Sequence, residues 1–382
     1  MSRALLIGVA VWVTGAGVAA AAEIEPHGFT GLGYLPGGAF PSEARAVSAD
    51  GSVVVGSSAG ASGLQQAFRW TAATGMQPLE MPSGLTMSWG HDVSADGDWV
   101  VGFAGNSFSS PVGWEGIRWG PGGTIDRIAV ADAGVWAKGI SGDGSVVVGS
   151  AANEAFRWTV PGGLEPLGTL YPGLTNPQSN ADGISADGQT IVGDSHATDG
   201  IGSVRDAFRW TDLTGMVPMG AAFTATGASG DGSVIVGTFD NHVTALFEAY
   251  RWTAETGLVP LGGYEPGHHT RAQGVSADGS RVVGYVQTDS TDEQRAMLWD
   301  EEHGIRIIKD VLENDVGIDM TGWTLTQAWG VSDNGPTIVG IGWNPQGRQE
   351  AWRAVLPEPA TLALLAAGLA LALRRRAPRR TR

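Results

Sequence analysis

A stretch of about twelve residues occurs in seven similar copies in this chain of 382 residues. This repetition limits the possible folds more than any other feature. The copy at Val47–Ser58 reads VSADGSVVVGSS, and another copy, ISGDGSVVVGSA, begins at Ile140. The copies align on the last glycine of a Ser-x-Asp-Gly motif, at Gly51, Gly97, Gly144, Gly188, Gly232, Gly279 and Gly335. Successive glycines are 46, 47, 44, 44, 47 and 56 residues apart. A period in this range is typical of propellers and solenoids.

Each unit carries only the signals of β-strands. Asp-Gly between apolar stretches favours a tight hairpin, since such turns need positive φ. A β-branched stretch follows, then a strand such as AFRWT (Ala67–Thr71), a short turn and a last strand such as LVPLG. Four short antiparallel strands without a helix pattern make one propeller blade. The sequence therefore predicts an all-β, seven-bladed β-propeller of four-stranded blades; an open β-solenoid is the alternative.

The seventh unit lacks its own last strand, because it stops at AWRAVLP. The segment HGFTGLGYLPGG (residues 27–38) resembles the closing strand of another unit, GLEPLGTLYPGL, which begins at Gly163. We predict that Phe29–Leu35 pairs with Trp352–Leu356, so that the beginning of the chain completes the last blade. Such a closure removes an unpaired sheet edge.

The serine and aspartate of the motif recur in nearly every unit, which favours a structural role. Ser and Asp side chains stabilise turns by hydrogen bonding to nearby backbone amides. The alternative is a ring of Ca²⁺ sites, because carboxylates and carbonyls suit hard cations. One aspartate per turn supplies few ligands, so no cofactor is predicted, with Ca²⁺ left as a possibility.

The arginine and tryptophan of the FRW strand also recur. Since both faces of a blade pack against neighbouring blades, we expect the tryptophans between blades and the arginines paired with the turn aspartates. The arginines are Arg69, Arg118, Arg157, Arg209, Arg251 and Arg353. The sixth unit departs from the pattern with AMLW at Ala296.

One position of the innermost strand varies in every unit, although the residue before it is always alanine or glycine. The varying residues are Arg45, His91, Lys138, Asp182, Thr226, Gln273 and Trp329. Different side chains on a constant frame are typical of a binding surface, so we predict that they surround the mouth of the axial channel. With aromatic residues nearby, the candidate ligand-binding residues are Trp89, His91, Trp136, Lys138, Asp182, Gln273 and Trp329. The alternative is that these are loop residues without a ligand.

Both termini suggest export. Residues 1–22 combine one early arginine, an apolar run and small residues before Glu23, as in a cleaved signal peptide; a retained anchor is the alternative. We assign residues 23–356 to the propeller and 357–382 to a C-terminal signal. In this signal Pro357, Glu358 and Pro359 precede the uncharged residues 360–373 and six arginines. Fourteen apolar residues are short for a stable membrane span, and the arginines favour a cytoplasmic end.

The C-terminal signal closely resembles the PEP-CTERM sorting signal of Gram-negative bacteria. That resemblance implies processing by an exosortase near Pro357–Glu358–Pro359, a transient inner-membrane anchor through residues 360–373, and release to the cell surface or the extracellular matrix. An ordinary C-terminal anchor is the alternative. The repeat itself resembles the HAF-type extracellular repeat, for which AFRW is the matching strand. That resemblance implies an exported repeat protein but no catalytic or binding residues that could be assigned to this chain.

Charge and composition narrow the function further. The net charge is −16, and without residues 1–22 and 357–382 the body keeps 16 basic and 38 acidic residues, a net charge of −22. A body this acidic repels phosphate backbones, so nucleic acid is not an expected partner. The chain has no cysteine, and no catalytic motif occurs. The sequence therefore favours an exported, non-enzymatic propeller that binds matrix polysaccharide or another surface component. A glycan lyase or hydrolase using Asp182, His91 and Lys138, and a passive scaffold, are the alternatives.

Overall fold

The structure is a computed structural model that describes residues 27–38, 41–107, 112–198, 200, 202–220, 222–288 and 291–357. The predicted signal peptide, Glu358, Pro359 and the apolar residues 360–373 lie outside the described residues. Within the described ranges, no helix has both the length and the apolar character needed to cross a membrane.

The described residues form seven four-stranded antiparallel sheets in chain order, which we number blades 1 to 7. Blades 1 and 2 consist of Ser42–Val47, Val53–Ala59, Gln65–Thr71 and Gly75–Pro78, then Met87–Val93, Val100–Gly105, Glu115–Gly120 and Thr124–Ile128. Blades 3 and 4 consist of Val135–Ile140, Val146–Ala151, Glu154–Thr159 and Gly163–Pro166, then Thr175–Ile184, Ile191–Thr198, Ser203–Thr211 and Gly215–Pro218.

Blades 5 and 6 follow the same order of strands. Their strands are Ala222–Ala228, Val234–Asn241, Leu246–Thr253 and Gly257–Pro260, then His268–Val275, Arg281–Thr288, Gln294–Asp300 and Gly304–Ile307. Blade 7 contains Thr324–Val331, Thr337–Trp343 and Gln349–Val355, with Gly28–Gly31 as its outermost strand. The protein is therefore an all-β, seven-bladed propeller, as predicted.

The N-terminal strand closes the ring. Gly28–Gly31 pairs antiparallel with blade 7, with Phe29 opposite Ala354 and Gly31 opposite Trp352. The amide of Leu32 also donates to the carbonyl of Ala351 at 2.8 Å. The innermost strand of blade 1 in turn packs against blade 7. This confirms the predicted closure and excludes the open solenoid.

The Ser-x-Asp-Gly turns are held by their own side chains. In blade 1 the hydroxyl of Ser48 donates to Asp50 at 2.7 Å and accepts from the amide of Val53 at 3.0 Å, while Asp50 also accepts from the amide of Ser52. The same serine bonds recur in the other six turns, with Asn334 replacing the aspartate in blade 7. The interpretation of these residues as turn-forming is confirmed.

The hydrophobic core lies between neighbouring blades rather than in one central mass. One cluster, for example, joins Val339 and Ala351 of blade 7 to Ala44, Val54 and Phe68 of blade 1. Around the axis, backbone hydrogen bonds connect consecutive turns: the amide of Ala49 donates to Ala95 at 3.1 Å, and that of Ala95 to Gly142 at 2.9 Å. Each blade is thus stabilised by its neighbours.

The predicted pairing of FRW arginines with turn aspartates is wrong. Four of the six arginines reach the glycine carbonyl of the next blade's turn instead, because the aspartate already accepts bonds within its own turn. Arg157 bonds Asp212 at 2.8 Å. The donor–acceptor pairs are Arg69 to Gly97, Arg118 to Gly144, Arg251 to Gly279 and Arg353 to Gly51, at 2.6–3.3 Å. Some of these arginines also lie over a tryptophan of the next blade, as Arg118 does over Trp158. The tryptophans therefore do lie between blades, as expected.

Blade 6 lacks this arginine, and a helical insertion follows its last strand. Leu298 occupies the arginine position, and Arg281, from the neighbouring strand, donates instead to the carbonyl of Gly335 in blade 7 at 2.6 Å. A short helical segment, α-helical over Ile308–Val311 and π-helical over Leu312–Val316, then packs Ile308 and Leu312 into the core. The sequence analysis did not predict this segment, which lies within the longest interval, of 56 residues, between motif glycines.

Candidate functional site

Each innermost strand contains a β-bulge at the residue that varies between repeats. The pairing register shifts between Ala44 and Ala46, Gly90 and Asp92, Ala137 and Gly139, Ala181 and Gly183, Ala225 and Gly227, Ala272 and Gly274, and Ala328 and Gly330. A bulge leaves its extra residue outside the ladder and redirects the side chain. The bulge also explains the glycine that lies opposite it inside each second strand. A Cβ at Gly102, for example, would overlap the carbonyl of Trp89.

The seven bulged residues surround one axial cavity of about 430 Å³. Its lining includes Arg45, His91, Lys138, Asp182, Thr226, Gln273 and Trp329. The bulges therefore bring one side chain from every blade into a single site. Five of the predicted ligand-binding residues, His91, Lys138, Asp182, Gln273 and Trp329, lie in this lining.

Trp89 and Trp136, which we also expected at the channel mouth, do not line the cavity. Each lies two residues before the varying residue, so regular alternation would place both side chains on one face of the strand. The bulge instead redirects the varying residue toward the axis and leaves the tryptophan against its own blade. Trp89 packs against Phe103 and Trp114, with ring centroids 5.5 Å apart in both pairs. Trp136 lies opposite Ser150 in the ladder. Neither tryptophan occupies the expected position, because the bulge, which the sequence does not show, turns only the varying residue toward the axis.

Charged side chains of neighbouring blades pair across the cavity lining. Lys138 Nζ lies 2.6 Å from Asp182 Oδ1, and both side chains are about one-quarter exposed. Arg45 lies over the ring of Trp329, 4.1 Å from its centroid, and its Nη2 bonds Glu43 at 3.0 Å. The ion pair connects blades 3 and 4, and the contact of Arg45 with Trp329 connects blades 1 and 7, so the blade order fixes which side chains meet.

Burial in the cavity shifts the pKa values of His91 and Asp182. His91 is partly exposed to the cavity, yet it lies deep in the molecule. Burial, reinforced by the positive charges of Arg45 and Lys138, lowers the pKa of His91 to about 3. Burial likewise raises the pKa of Asp182, although Lys138 opposes this. At neutral pH the imidazole is therefore uncharged and offers one donor and one acceptor.

Asp92 is the cavity residue that the sequence analysis missed. It follows His91, at a position where five other units have glycine and one has alanine. Its carboxylate accepts from the amides of Val93 at 2.8 Å and of Ile140, in blade 3, at 2.9 Å. Burial, with a smaller contribution from the carboxylate of Asp333, raises the pKa of Asp92 to about 7, although the two amides oppose this. A comparison of this repeat position across units would have found it, because Asp92 is its only charged member.

Asp333 is a second carboxyl group of the cavity that departs from the repeat. It is the variable residue of the Ser-x-Asp-Gly motif, where the other six units have alanine or glycine. Burial raises the pKa of Asp333. Among the described residues, no group of three or more His, Asp or Glu side chains is arranged to hold one metal ion.

We expect Asp92→Asn to remove a pH dependence from the free energy of unfolding. Folded Asp92 keeps its proton up to a pH of about 7, whereas an unfolded aspartate loses it near pH ~3.9. The proton therefore favours the folded state at low pH, and this contribution disappears as the pH rises through about 7. Relative to the variant, the wild type should lose roughly 2 kcal/mol between pH 5 and 8.

Urea unfolding at pH 5, 6.5 and 8 measures this difference. Asp98→Asn, at an exposed position of the same blade, is the matched control and should show no such trend. If Asp92→Asn differs from the wild type by the same amount at all three pH values, the assigned protonation of Asp92 is wrong.

Comparisons with known proteins show the fold alone. No protein-family model matches the chain, and no curated protein sequence matches it. Among solved structures, an oligogalacturonate lyase in complex with manganese is 16% identical, with a TM-score of 0.52 and coverage of 82% of this chain and 88% of that one. The β-propeller domain of the trilobed protease from Pyrococcus furiosus is 10% identical, with a TM-score of 0.53 and coverage of 82% and 95%.

A structure of prolyl endopeptidases is 11% identical, with a TM-score of 0.55, and the match covers 83% of this chain and 50% of that one. The Pyrococcus domain is described as having an open velcro topology, whereas Gly28–Gly31 closes the last blade here. At these identities the likeness extends to the propeller and to no activity.

Proposed function

We propose that this protein is an exported, non-enzymatic propeller that binds extracellular polysaccharide through its axial cavity. The observation that carries the proposal is the row of seven bulges, which presents seven chemically different side chains on a uniform frame. Constant structure with variation at one site is the pattern of a binding surface. The acidic, cysteine-free body and the two terminal signals support a site of action outside the cytoplasm.

The chemistry of the cavity suits a hydroxyl-rich ligand. Neutral His91, the amide of Gln273 and the hydroxyl of Thr226 provide both donors and acceptors. Lys138 and Asp182 add charged groups that form stronger hydrogen bonds. A volume of about 430 Å³ falls within the range of small-molecule pockets. The site is therefore large enough for part of a sugar chain.

We expect Gln273→Ala to weaken binding without weakening the fold. The side chain of Gln273 lines the cavity, and losing one hydrogen bond to a ligand costs about 1 kcal/mol, which is roughly fivefold in Kd. Binding of the mature body to the producing organism's own exopolysaccharide can be measured by calorimetry or on a glycan array. Gln189→Ala, at an exposed turn of blade 4, is the control.

Equal binding by the wild type, Gln273→Ala and Gln189→Ala would exclude the cavity as the binding site. Absence of any binding by the wild type would leave a passive scaffold as the better description. Mass spectrometry of the secreted protein tests export separately, since we expect cleavage after Ala22 and near Pro357–Glu358–Pro359.

A polysaccharide lyase or hydrolase is the second candidate function, and Asp92 is the observation that favours it. A carboxyl group with a pKa of about 7 can act as acid and base at neutral pH. His91 is less suited as a base, because its pKa is about 3, and Lys138 and Asp182 are already paired. Release of shortened chains or unsaturated ends from the polysaccharide, abolished by Asp92→Asn, would establish catalysis. Binding without chain shortening would favour the non-enzymatic proposal.

A further inference from the structure

A second and larger cavity, which we call the exit groove, lies where the described chain ends. Its volume is about 1110 Å³, and Leu356 and Pro357 form part of its lining. Its other apolar lining residues are Val259, Pro260, Leu261, Leu298, Trp299, Val311 and Val316. Acidic residues of the lining are Asp278, Asp300, Glu301, Glu302 and Asp315. The groove therefore combines apolar surface with a series of carboxylates.

The exit groove lies where the propeller departs from its repeat. Leu298 stands in place of the usual arginine, and the helical segment at Ile308–Val316 contributes Val311 and Val316. Val259 is 45% exposed, which is high for a large apolar side chain in a strand. These departures create an apolar surface that a regular blade would not have. Concave sites lined mainly by apolar side chains commonly bind a ligand or a chain segment.

The charges left without a partner in the groove are negative. Its three arginines are engaged: Arg251 with the carbonyl of Gly279, Arg281 with that of Gly335, and Arg306 with Asp300 and Asp315. Glu301 and Glu302 are exposed, and neither forms an ion pair with a described residue. An occupant with apolar and basic residues would therefore fit both the surface and its charge.

We propose that the exit groove binds the chain's own segment that follows Pro357. The uncharged residues 360–373 match the apolar lining, and the six arginines after them match the exposed carboxylates of Glu301 and Glu302. The segment begins inside the groove, so its effective concentration there is on the order of millimolar or higher. Bound in this way, the apolar residues are shielded from water, and the groove competes with a membrane for them. This proposal does not depend on what the axial cavity binds.

Disulfide trapping tests the proposal directly, because the chain has no cysteine. Val259→Cys and Leu362→Cys are introduced together into the chain that retains residues 357–382, in detergent-free buffer. Val217→Cys with Leu362→Cys is the matched control, since Val217 lies opposite Arg209 in blade 4 as Val259 lies opposite Arg251 in blade 5. We expect an intrachain disulfide to form at least tenfold faster in the groove pair. Peptide mapping identifies the product.

Charge reversal gives a second measurement. Glu301→Lys with Glu302→Lys should slow the trapping at least threefold, whereas Glu80→Lys with Asp98→Lys, at exposed positions of blades 1 and 2, should not. Unchanged thermal unfolding shows that both variants fold. Equal trapping at Val259 and Val217, mainly interchain products, or no effect of the groove reversal would each overturn the proposal. Interchain products would point instead to the segment of a second copy.

Discussion

A chain that lacks residues 27–35 is expected to lose about 5 kcal/mol or more of its free energy of unfolding. The deletion removes the outermost strand of blade 7 and the side chains of Leu32 and Leu35, which are 6% and 3% exposed. Each buried leucine contributes ~1.5–3 kcal/mol, and the lost strand pairing exposes the edge at Gln349–Val355. For a body of this length the midpoint of thermal unfolding should fall by roughly 7 °C.

Circular dichroism during heating measures this loss. Deletion of residues 1–22 alone is the control and should leave the midpoint unchanged. A synthetic peptide of residues 27–38, added to the truncated protein, should restore part of the difference, because it binds the folded state only. A midpoint within about 1 °C of the control would show that the closing strand does not stabilise blade 7.

Trp352→Ala should destabilise the same region by about 3–5 kcal/mol. The side chain is 0% exposed and packs in the cluster that contains Ala328, Ile338 and, at its edge, Phe29. Truncation to alanine removes the ring and leaves a cavity that the surrounding strands fill only in part. Trp343→Ala is the matched control from the same blade, since Trp343 is 47% exposed.

Urea unfolding of both tryptophan variants gives the comparison. We expect Trp343→Ala to change the free energy of unfolding by less than about 1 kcal/mol. Similar losses in the two variants would contradict the packing of blade 7. Together with the truncation, the pair tests whether the junction of blades 7 and 1 is as tightly packed as the structure indicates.

The candidate site was only partly predictable. The varying position at Arg45, His91 and Lys138 is visible in the sequence, because alignment of the repeats shows a small residue followed by a different side chain each time. The bulge is not visible, since it depends on how two strands pair. Without it, Trp89 and Trp136 were assigned to the channel together with His91 and Lys138, which lie two residues further along the same strands.

Two contacts show why side-chain partners were harder to predict than strands. Because each repeat has about one FRW arginine and one turn aspartate, the sequence suggested that they pair. Instead Arg69 donates to the carbonyl of Gly97, since the aspartate of the turn already accepts hydrogen bonds from the turn's own serine and amide. In blade 6, Arg281 takes over this role from a neighbouring strand. The alignment shows that Leu298 replaces the arginine, but which residue takes over its role depends on three-dimensional proximity.

The sequence by itself determined the number of blades, their four-strand composition, the hairpin turns and the existence of a closing strand, predicted at Phe29–Leu35 and found at Gly28–Gly31. These features follow from local periodicity and turn chemistry, which repeat along the chain and can be counted. Only the tertiary structure decided which side chains meet at the axis, how Asp92 and His91 protonate, and where the exit groove opens. Those properties arise from burial and from contacts between blades, and therefore depend on residues that are far apart in the chain.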